Sequence, residues 1–398
     1  MHDAVIVDAV RSPLAKGKPG GALSGLHAVE LLSQTIAQLL ARNDIDPGMV
    51  DDVLAGCVQQ VGEQAGNVGR MAWLAAGLPQ HVPATTIERK CGSSQQAAHF
   101  AAQGIMAGVY GITVVAGVES MSRIPMGSSS IGMDPYGPSV AERYAPGLVP
   151  QGVSAELIAA KWKISREQQD AYSARSHERA LARAETSALD REIVPIVSFD
   201  GDGNRRIVDR DETPRPGTTP EKLAALSPAF ANTGADQRFP EIDWSVTAGN
   251  SSQITDGASA LLVTSAAIAD KLGLRPRARF HSFAVAADDP ILMLTGPIPA
   301  THKVLGTSGL SIDEIDHYEI NEAFAPVPLA WQAEFDADPA RLNPAGGAIA
   351  LGHPLGASGA RLMTTMLHHL EETGGRYGLQ SMCEAGGMAN ATIIERLS

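Results

Sequence analysis

Laid on itself with a shift of 265 residues, the chain brings three elements into register. Val50-Asp51 falls on Ile315-Asp316, each leading into a strand pattern. Gly92-Ser93-Ser94 falls on Ala357-Ser358-Gly359, each at the start of a helical pattern, and Val114–Val118 falls on Leu379–Cys383, again as strands. Agreement at a single offset points to two similar halves. Within the first half, strand and helix alternate. Val5–Val10 reads as a buried strand, and Val53–Val58 as the next one. Between them Ala28–Ala41 carries Val29, Leu32, Ile36 and Leu39 at helical spacing. This alternation predicts an α/β layer fold around a largely buried sheet.

Residues 121–250 have a different texture. They hold the loop-rich IPMGSSSIGMDPYGP, a polar helix over Arg166–Ala184 opened by a capping box from Ser165 to Gln168, and the Pro-rich turn DETPRPGTTP. The apolar strand-and-helix texture returns near Ala258. The expected organisation is an N-terminal half (1–120 plus 251–272), an inserted loop domain (121–250) and a C-terminal half (273–398). The 398 residues suffice for two or three domains.

Composition excludes several classes. With 31 Lys plus Arg against 44 Asp plus Glu, the chain lacks the basic footprint of a nucleic-acid binder. Three cysteines are too few and too dispersed for a disulfide framework or a Cys-rich zinc site, so a reducing, cytoplasmic setting is expected and no metal. The N-terminus has no signal-peptide pattern. From Cys91 to Val118 there is no formal charge, but Gly92, Gly104, Gly108, Gly111 and Gly117 with Gln95, Gln96, His99 and Gln103 suit helix, turn and strand better than a membrane span.

Chemistry concentrates in four segments. Cys91 stands before Gly-Ser-Ser at a predicted helix N-terminus, where free N–H groups and the macrodipole favour a thiolate nucleophile; a buried structural thiol is the other reading. His353, in Gly-His-Pro-Leu-Gly-Ala-Ser-Gly, is presented by a stiff turn as a general base would be, or serves as a turn histidine only. Cys383, between a strand and a Gly turn, is a proton carrier or inert core. Asn321, at the end of strand His317–Ile320, orients a water or an oxyanion, or simply makes a turn. Cys57 reads as structural. No GxGxxG followed by an acidic strand end is present, which speaks against a nicotinamide cofactor.

Together these segments are recognisable. The chain resembles the thiolase family (acetyl-CoA acetyltransferases and 3-ketoacyl-CoA thiolases) over essentially its whole length, through VIVDAVRSPLAKGKPGGALSGL, CGSSQQAA, GVESMSRIPM, TAGNSSQITDGASALL, EINEAFA, NPAGGAIALGHPLGASGARL and CEAGGMANATIIERL. The resemblance implies a five-layer αβαβα core of two similar halves with an inserted loop domain, and a homodimer or homotetramer. It implies Cys91 as the acylated nucleophile, His353 as its base, Cys383 as the substrate's proton shuttle and Asn321 as holder of an oxyanion-hole water. Ser252 resembles the serine on the pantetheine of coenzyme A, Arg215 a loop-domain arginine near the CoA nucleotide, and Phe324 a pocket wall. Coenzyme A is then a co-substrate, and no bound cofactor is needed.

Four departures stand out against the family pattern. Ser94 replaces a common Gly. Ala385 stands where Gly usually donates the N–H of the second oxyanion hole, and a positive φ there would strain it. Pro150-Gln151 replaces the His-Met pair of short-chain biosynthetic members, and Ala235–Val246 is longer than in many relatives. The expected activity is CoA-dependent cleavage of 3-ketoacyl-CoA, or its reverse. The alternatives are an acetoacetyl-CoA-specific enzyme, a β-ketoacyl synthase, and a silent acyl-CoA-binding scaffold.

Overall fold

The computed structural model describes residues 3–397. The strands are β1 (Ala4–Arg11), β2 (Ala15–Lys16), β3 (Asp52–Gly56), β4 (Ala84–Ile87), β5 (Ile112–Ser120), β6 (Ile196–Phe199), β7 (Arg205–Val208), β8 (Thr255–Ser265), β9 (Ala278–Ala287), β10 (His317–Ile320), β11 (Tyr377–Glu384) and β12 (Met388–Arg396). The helices are α1 (Ala28–Ala41), α2 (Val68–Ala75), α3 (Ser93–Met106), α4 (Pro138–Arg143), α5 (Gln151–Trp162), α6 (Arg166–Ala184), α7 (Pro220–Ala224), α8 (Ala266–Leu272), α9 (Pro297–Ser308), α10 (Pro326–Phe335), α11 (Ala348–Leu351) and α12 (Leu355–Thr373).

Strand order explains the internal repeat. The main sheet runs β10-β11-β12-β9-β1-β8-β5-β3-β4, with β2 beside β8. Read outward from its centre, β1-β8-β5-β3 mirrors β9-β12-β11-β10. The pairing senses match as well: β3 with β5 and β10 with β11 are parallel, while the next two pairs in each half are antiparallel. The halves join through two residue pairs only, Val5 with Arg279 and Ile6 with Ala278. So narrow a seam lets one half of the sheet fold over the other.

Between them lie α3 and α12. Helix α3 packs on β3 and β5 and reaches the opposite sheet, where Gln95 Nε2 donates to Thr392 Oγ1 at 2.8 Å. Helix α12 touches β5 and β8 on one side and β10 and β11 on the other. Covered on both faces, α12 is buried almost throughout. Gly359 permits the close crossing: a Cβ there would overlap the backbone of Gln95. Outside, α1 covers β5 and β8, and α9 covers β9 and β12. The result is an αβαβα stack. All eleven residues of β8 are buried, as a strand covered on both faces requires.

The 121–250 excursion supplies α4 to α7 and the β6–β7 hairpin. The capping box at Ser165 and Gln168 forms as expected. Buried ion pairs fasten the excursion to the core, with Arg11 Nε 2.6 Å from Glu192 and Arg11 Nη1 2.7 Å from Asp211, and within the excursion Arg183 meets the same Glu192 at 2.7 Å. Helix α12 begins at Leu355, three residues before the position aligned with the start of α3, because Pro354 takes extended geometry and starts the turn early. None of the helices among the described residues is long and apolar enough to cross a membrane.

Candidate active site

Cys91 occupies the loop entering α3. Lys90 before it adopts φ 47°, and Gly92 is the N-cap. The turn takes two of the N–H groups that were expected to bathe the thiol: Gly92 N donates to Arg89 O at 3.0 Å and Ser93 N to Lys90 O at 3.1 Å. The expectation of a lowered thiol pKa is therefore overturned. Burial, aided by the carboxyls of Glu384 and Glu119, pushes Cys91 up to about 12, against weaker pulls from its own backbone N–H and Lys90. At rest it is a neutral thiol. Ser94, the departure from Gly, accepts the Ala360 N–H at 2.9 Å and so ties the entry of α3 to α12.

His353 follows Gly352, whose φ of 96° needs glycine. Its backbone N–H donates to Gln253 O and Thr255 Oγ1, both at 3.1 Å. The ring is buried, with Nδ1 2.6 Å from Ser358 Oγ. That hydroxyl already donates its one proton to Pro354 O at 2.8 Å, so toward the ring it acts as acceptor. The imidazole consequently carries its proton on Nδ1 and leaves Nε2 unprotonated. Asn321 Nδ2 donates weakly to Nε2 at 3.4 Å, and Asn321 Oδ1 is buried without a partner. Burial and the nearby Arg361 guanidinium lower the His353 pKa to about 3, which keeps the ring in its basic form.

Cys91 packs with Leu355, two residues past His353, and with Met382, the neighbour of Cys383. Burial, the adjacent Cys91 and Glu384 hold the Cys383 thiol well above its ordinary pKa. Cys383 shares an apolar cluster with Phe324, Val327, Met293, Ala155 and Ile158, against which Phe230 and Ala385 pack. Ser252 N donates to Ala323 O at 2.9 Å, beside Phe324. Arg215 Nη2 donates to Gln253 Oε1 at 3.0 Å, and Arg215 lines a cleft of about 600 Å³ with His177, Arg175 and Thr218.

Three further departures acquire a structural meaning. The positive φ values of the CEAGG turn fall on Gly386 (91°) and Gly387 (80°), not on Ala385, so the strain anticipated there does not arise. Gln151 is the first residue of α5, the helix that contributes Ala155 and Ile158 to the cluster around Cys383. The 235–246 segment lies nearby. Arg238 donates to Gly147 O at 2.7 Å and to Tyr144 O at 3.3 Å, just upstream of Gln151.

Sequence reasoning passed over three residues. Ser358 sets the imidazole tautomer, and its signal was its place five residues after His353 in the same Gly-rich segment. Glu322 accepts from Tyr172, Ser176, Asn343 and the Ile349 N–H, binding the EINEAFA and NPAGGAI segments together. Glu384 lies beside both thiols, and nothing in its spacing marked it.

Residues 4–267 match the family model described as Thiolase, N-terminal domain, and residues 274–396 match Thiolase, C-terminal domain. The chain belongs to the thiolase family. This thiolase is 50% identical to a steroid 3-ketoacyl-CoA thiolase of Mycobacterium tuberculosis, with 100% of this chain and 95% of that one covered. It is 43% identical to a 3-ketoacyl-CoA thiolase of Erwinia tasmaniensis, with full coverage of both. Among solved structures, the acetyl-CoA acetyltransferase of Bacillus anthracis superposes with a TM-score of 0.88 at 37% identity, covering 100% of this chain and 99% of that one.

Proposed function

We propose that this thiolase, an acyltransferase, cleaves 3-ketoacyl-CoA through an acyl group on Cys91. The observation that carries the assignment is the pairing of two buried neutral thiols, Cys91 and Cys383, with an imidazole whose free Nε2 is set by Ser358. His353 takes the Cys91 proton as the sulfur attacks the 3-keto carbon, so proton transfer accompanies bond formation and no thiolate is stored beforehand. The Asn321 amide and the His353 ring stabilise the oxyanion. The bond between C2 and C3 breaks, and its electron pair leaves as the enolate of acetyl-CoA. Cys383, held as a thiol, protonates that enolate at carbon. Coenzyme A then gives its thiol proton to Cys383 and attacks the acyl-Cys91 carbonyl; the bond to Cys91 breaks, the shortened acyl-CoA is released, and the departing Cys91 sulfur recovers its proton from His353. In reverse, the same groups join two acyl-CoA units. Coenzyme A is a co-substrate, and the steps need no resident cofactor.

Residues 121–250 serve in this reading as an inserted domain that carries the coenzyme, with Arg215 toward the nucleotide and Ser252 toward the pantetheine. The cleft at Arg215 supports this. Ala385 N–H and the Cys91 N–H form the second oxyanion site. Exposed Met126, Ile131, Met133 and Tyr136 offer the apolar surface for a homodimer or homotetramer, and three free thiols suit a reducing cytoplasm.

For the acyl group we infer a chain longer than acetoacetyl. Gln151 in place of a thioether, with the 235–246 segment against residues 144–147, supports an open channel walled by Phe324 and Phe230. The steroid thiolase relative supports a bulky acyl group as its upper limit. A panel of 3-ketoacyl-CoAs of increasing length tests this. We expect kcat/KM for medium chains at least equal to that for acetoacetyl-CoA, since each buried methylene contributes up to about 0.8 kcal/mol. A steep fall beyond four carbons overturns the open channel and leaves an acetoacetyl-specific enzyme. No CoA-dependent turnover with any member leaves a binding scaffold.

A further inference from the structure

Glu384 ends β11, one residue past Cys383, and its side chain is fully buried. Both carboxyl oxygens lack a hydrogen-bond partner. Buried carboxyls are normally satisfied, so two orphaned oxygens on one group call for an explanation. The carboxyl is aimed at the nucleophile's turn: Gly92, next to Cys91, stands directly against Glu384 Oε1, and a Cβ at that position would overlap both the carboxyl and the Asn390 amide. Asn390 Nδ2 donates to Gly92 O at 3.1 Å and makes no hydrogen bond to the carboxyl.

The charged and titratable surroundings are few. From the loop before α3 come Arg89, whose Nη1 is 3.9 Å from Glu384 Oε2, with Glu88, Lys90 and Cys91. From its own strand comes Cys383. From β12 the neighbour is the neutral Asn390, and from the 288–290 loop only backbone touches the adjoining turn at Gly387.

We propose that Glu384 is a positioning residue for Cys91: as an uncharged acid it backs the nucleophile's turn, and its ionisation withdraws the nucleophile. The inference rests on Cys91 being the acylated group. Burial outweighs the attraction of Arg89 and pushes Glu384 up to about 8, so the acid is neutral under ordinary conditions. Once ionised, it places a negative charge beside both thiols. That charge disfavours a second anion at Cys91 and at Cys383. Catalysis therefore fades as pH rises through the range in which a free thiol would gain reactivity.

The experiment reads Cys91 itself. Iodoacetamide alkylation of the Cys91 peptide is followed by mass spectrometry from pH 6 to 10, in the wild type and in Glu384→Gln, alongside thiolysis in the same buffers. Gln keeps the shape and neutrality of the acid but cannot ionise. At pH 9 to 10 the variant is expected to alkylate about tenfold faster than the wild type, as a shift of about one pKa unit gives. Its thiolysis should lose the alkaline decline while matching the wild type within about threefold at pH 7. Arg89→Gln, at the partly exposed end of the pair, should move the decline to higher pH, because it removes the charge that favours ionisation. Superimposable alkylation profiles in wild type and both variants overturn the proposal, as does an equal loss of thiolysis at every pH in Glu384→Gln. A failure of the Cys91 assignment looks different: Cys91→Ala would then retain thiolysis whatever Glu384 does.

Discussion

Removing the Ser358 hydroxyl should cripple the enzyme without touching substrate. In Ser358→Ala the Nδ1–H of His353 loses an acceptor at 2.6 Å in a site where the ring is buried. An unsatisfied buried donor costs about 1–3 kcal/mol, and here the cost falls on the one tautomer that leaves Nε2 free. The ring is driven toward the other tautomer, in which Nε2 carries the proton and cannot accept one from Cys91. Taken through the rate relation, 1–3 kcal/mol corresponds to a fall in kcat of about 5- to 150-fold. The hydroxyl contacts only His353 and Pro354 O, so KM should stay within about twofold. The assay is loss of the 3-ketoacyl-CoA enolate absorbance on addition of coenzyme A, across a substrate titration. A variant with kcat within twofold of the wild type would show that the tautomer is set by something else, and the argument for a preset base would fail.

Acyl-CoA without acceptor should add one acyl mass per chain on the Cys91 peptide; label that persists in Cys91→Ser but vanishes in Cys383→Ser would reverse the two roles. Since His353 is depressed to about 3, its base form survives acidification, and kcat/KM should show no acid limb near 6.5 as pH falls from 8 to 5; a limb there that disappears in a His353 variant refutes it. Ala385→Gly should change turnover by less than about tenfold, because no positive φ is relieved, and a hundredfold gain would mean the native turn is malformed. Arg183 and Arg11 hold the Glu192 carboxyl below its ordinary range despite burial. Its contribution to stability is therefore present above the unfolded pKa of about 4.3 and is lost as pH falls through the lower folded value. Glu192→Gln should cost about 3–5 kcal/mol at pH 7 by urea unfolding, with the gap to wild type narrowing toward pH 3; a constant gap would show that charge is not involved.

Much of this was legible along the chain because it depends on local chemistry. Period and polarity mark β1, α1, β10 and α6 with bounds that match or nearly match those observed, and the capping box at Ser165 needs only residues three apart. The shift of 265 residues carried the mirrored strand order, since β3 and β10, and β5 and β11, keep that offset. The motif segments also pointed to Cys91, Asn321, His353 and Cys383. Protonation was not legible. A helix N-terminus argues for a thiolate at Cys91, yet the folded turn takes two of the nearby N–H groups and burial beside Glu384 keeps the thiol neutral. Ala385 looked strained until the turn placed its positive φ angles on the two following glycines. The roles of Ser358 and Glu384 were equally hidden. A pKa, a tautomer or an orphaned carboxyl is set by what surrounds a group in three dimensions, and those surroundings come from strands and loops hundreds of residues apart.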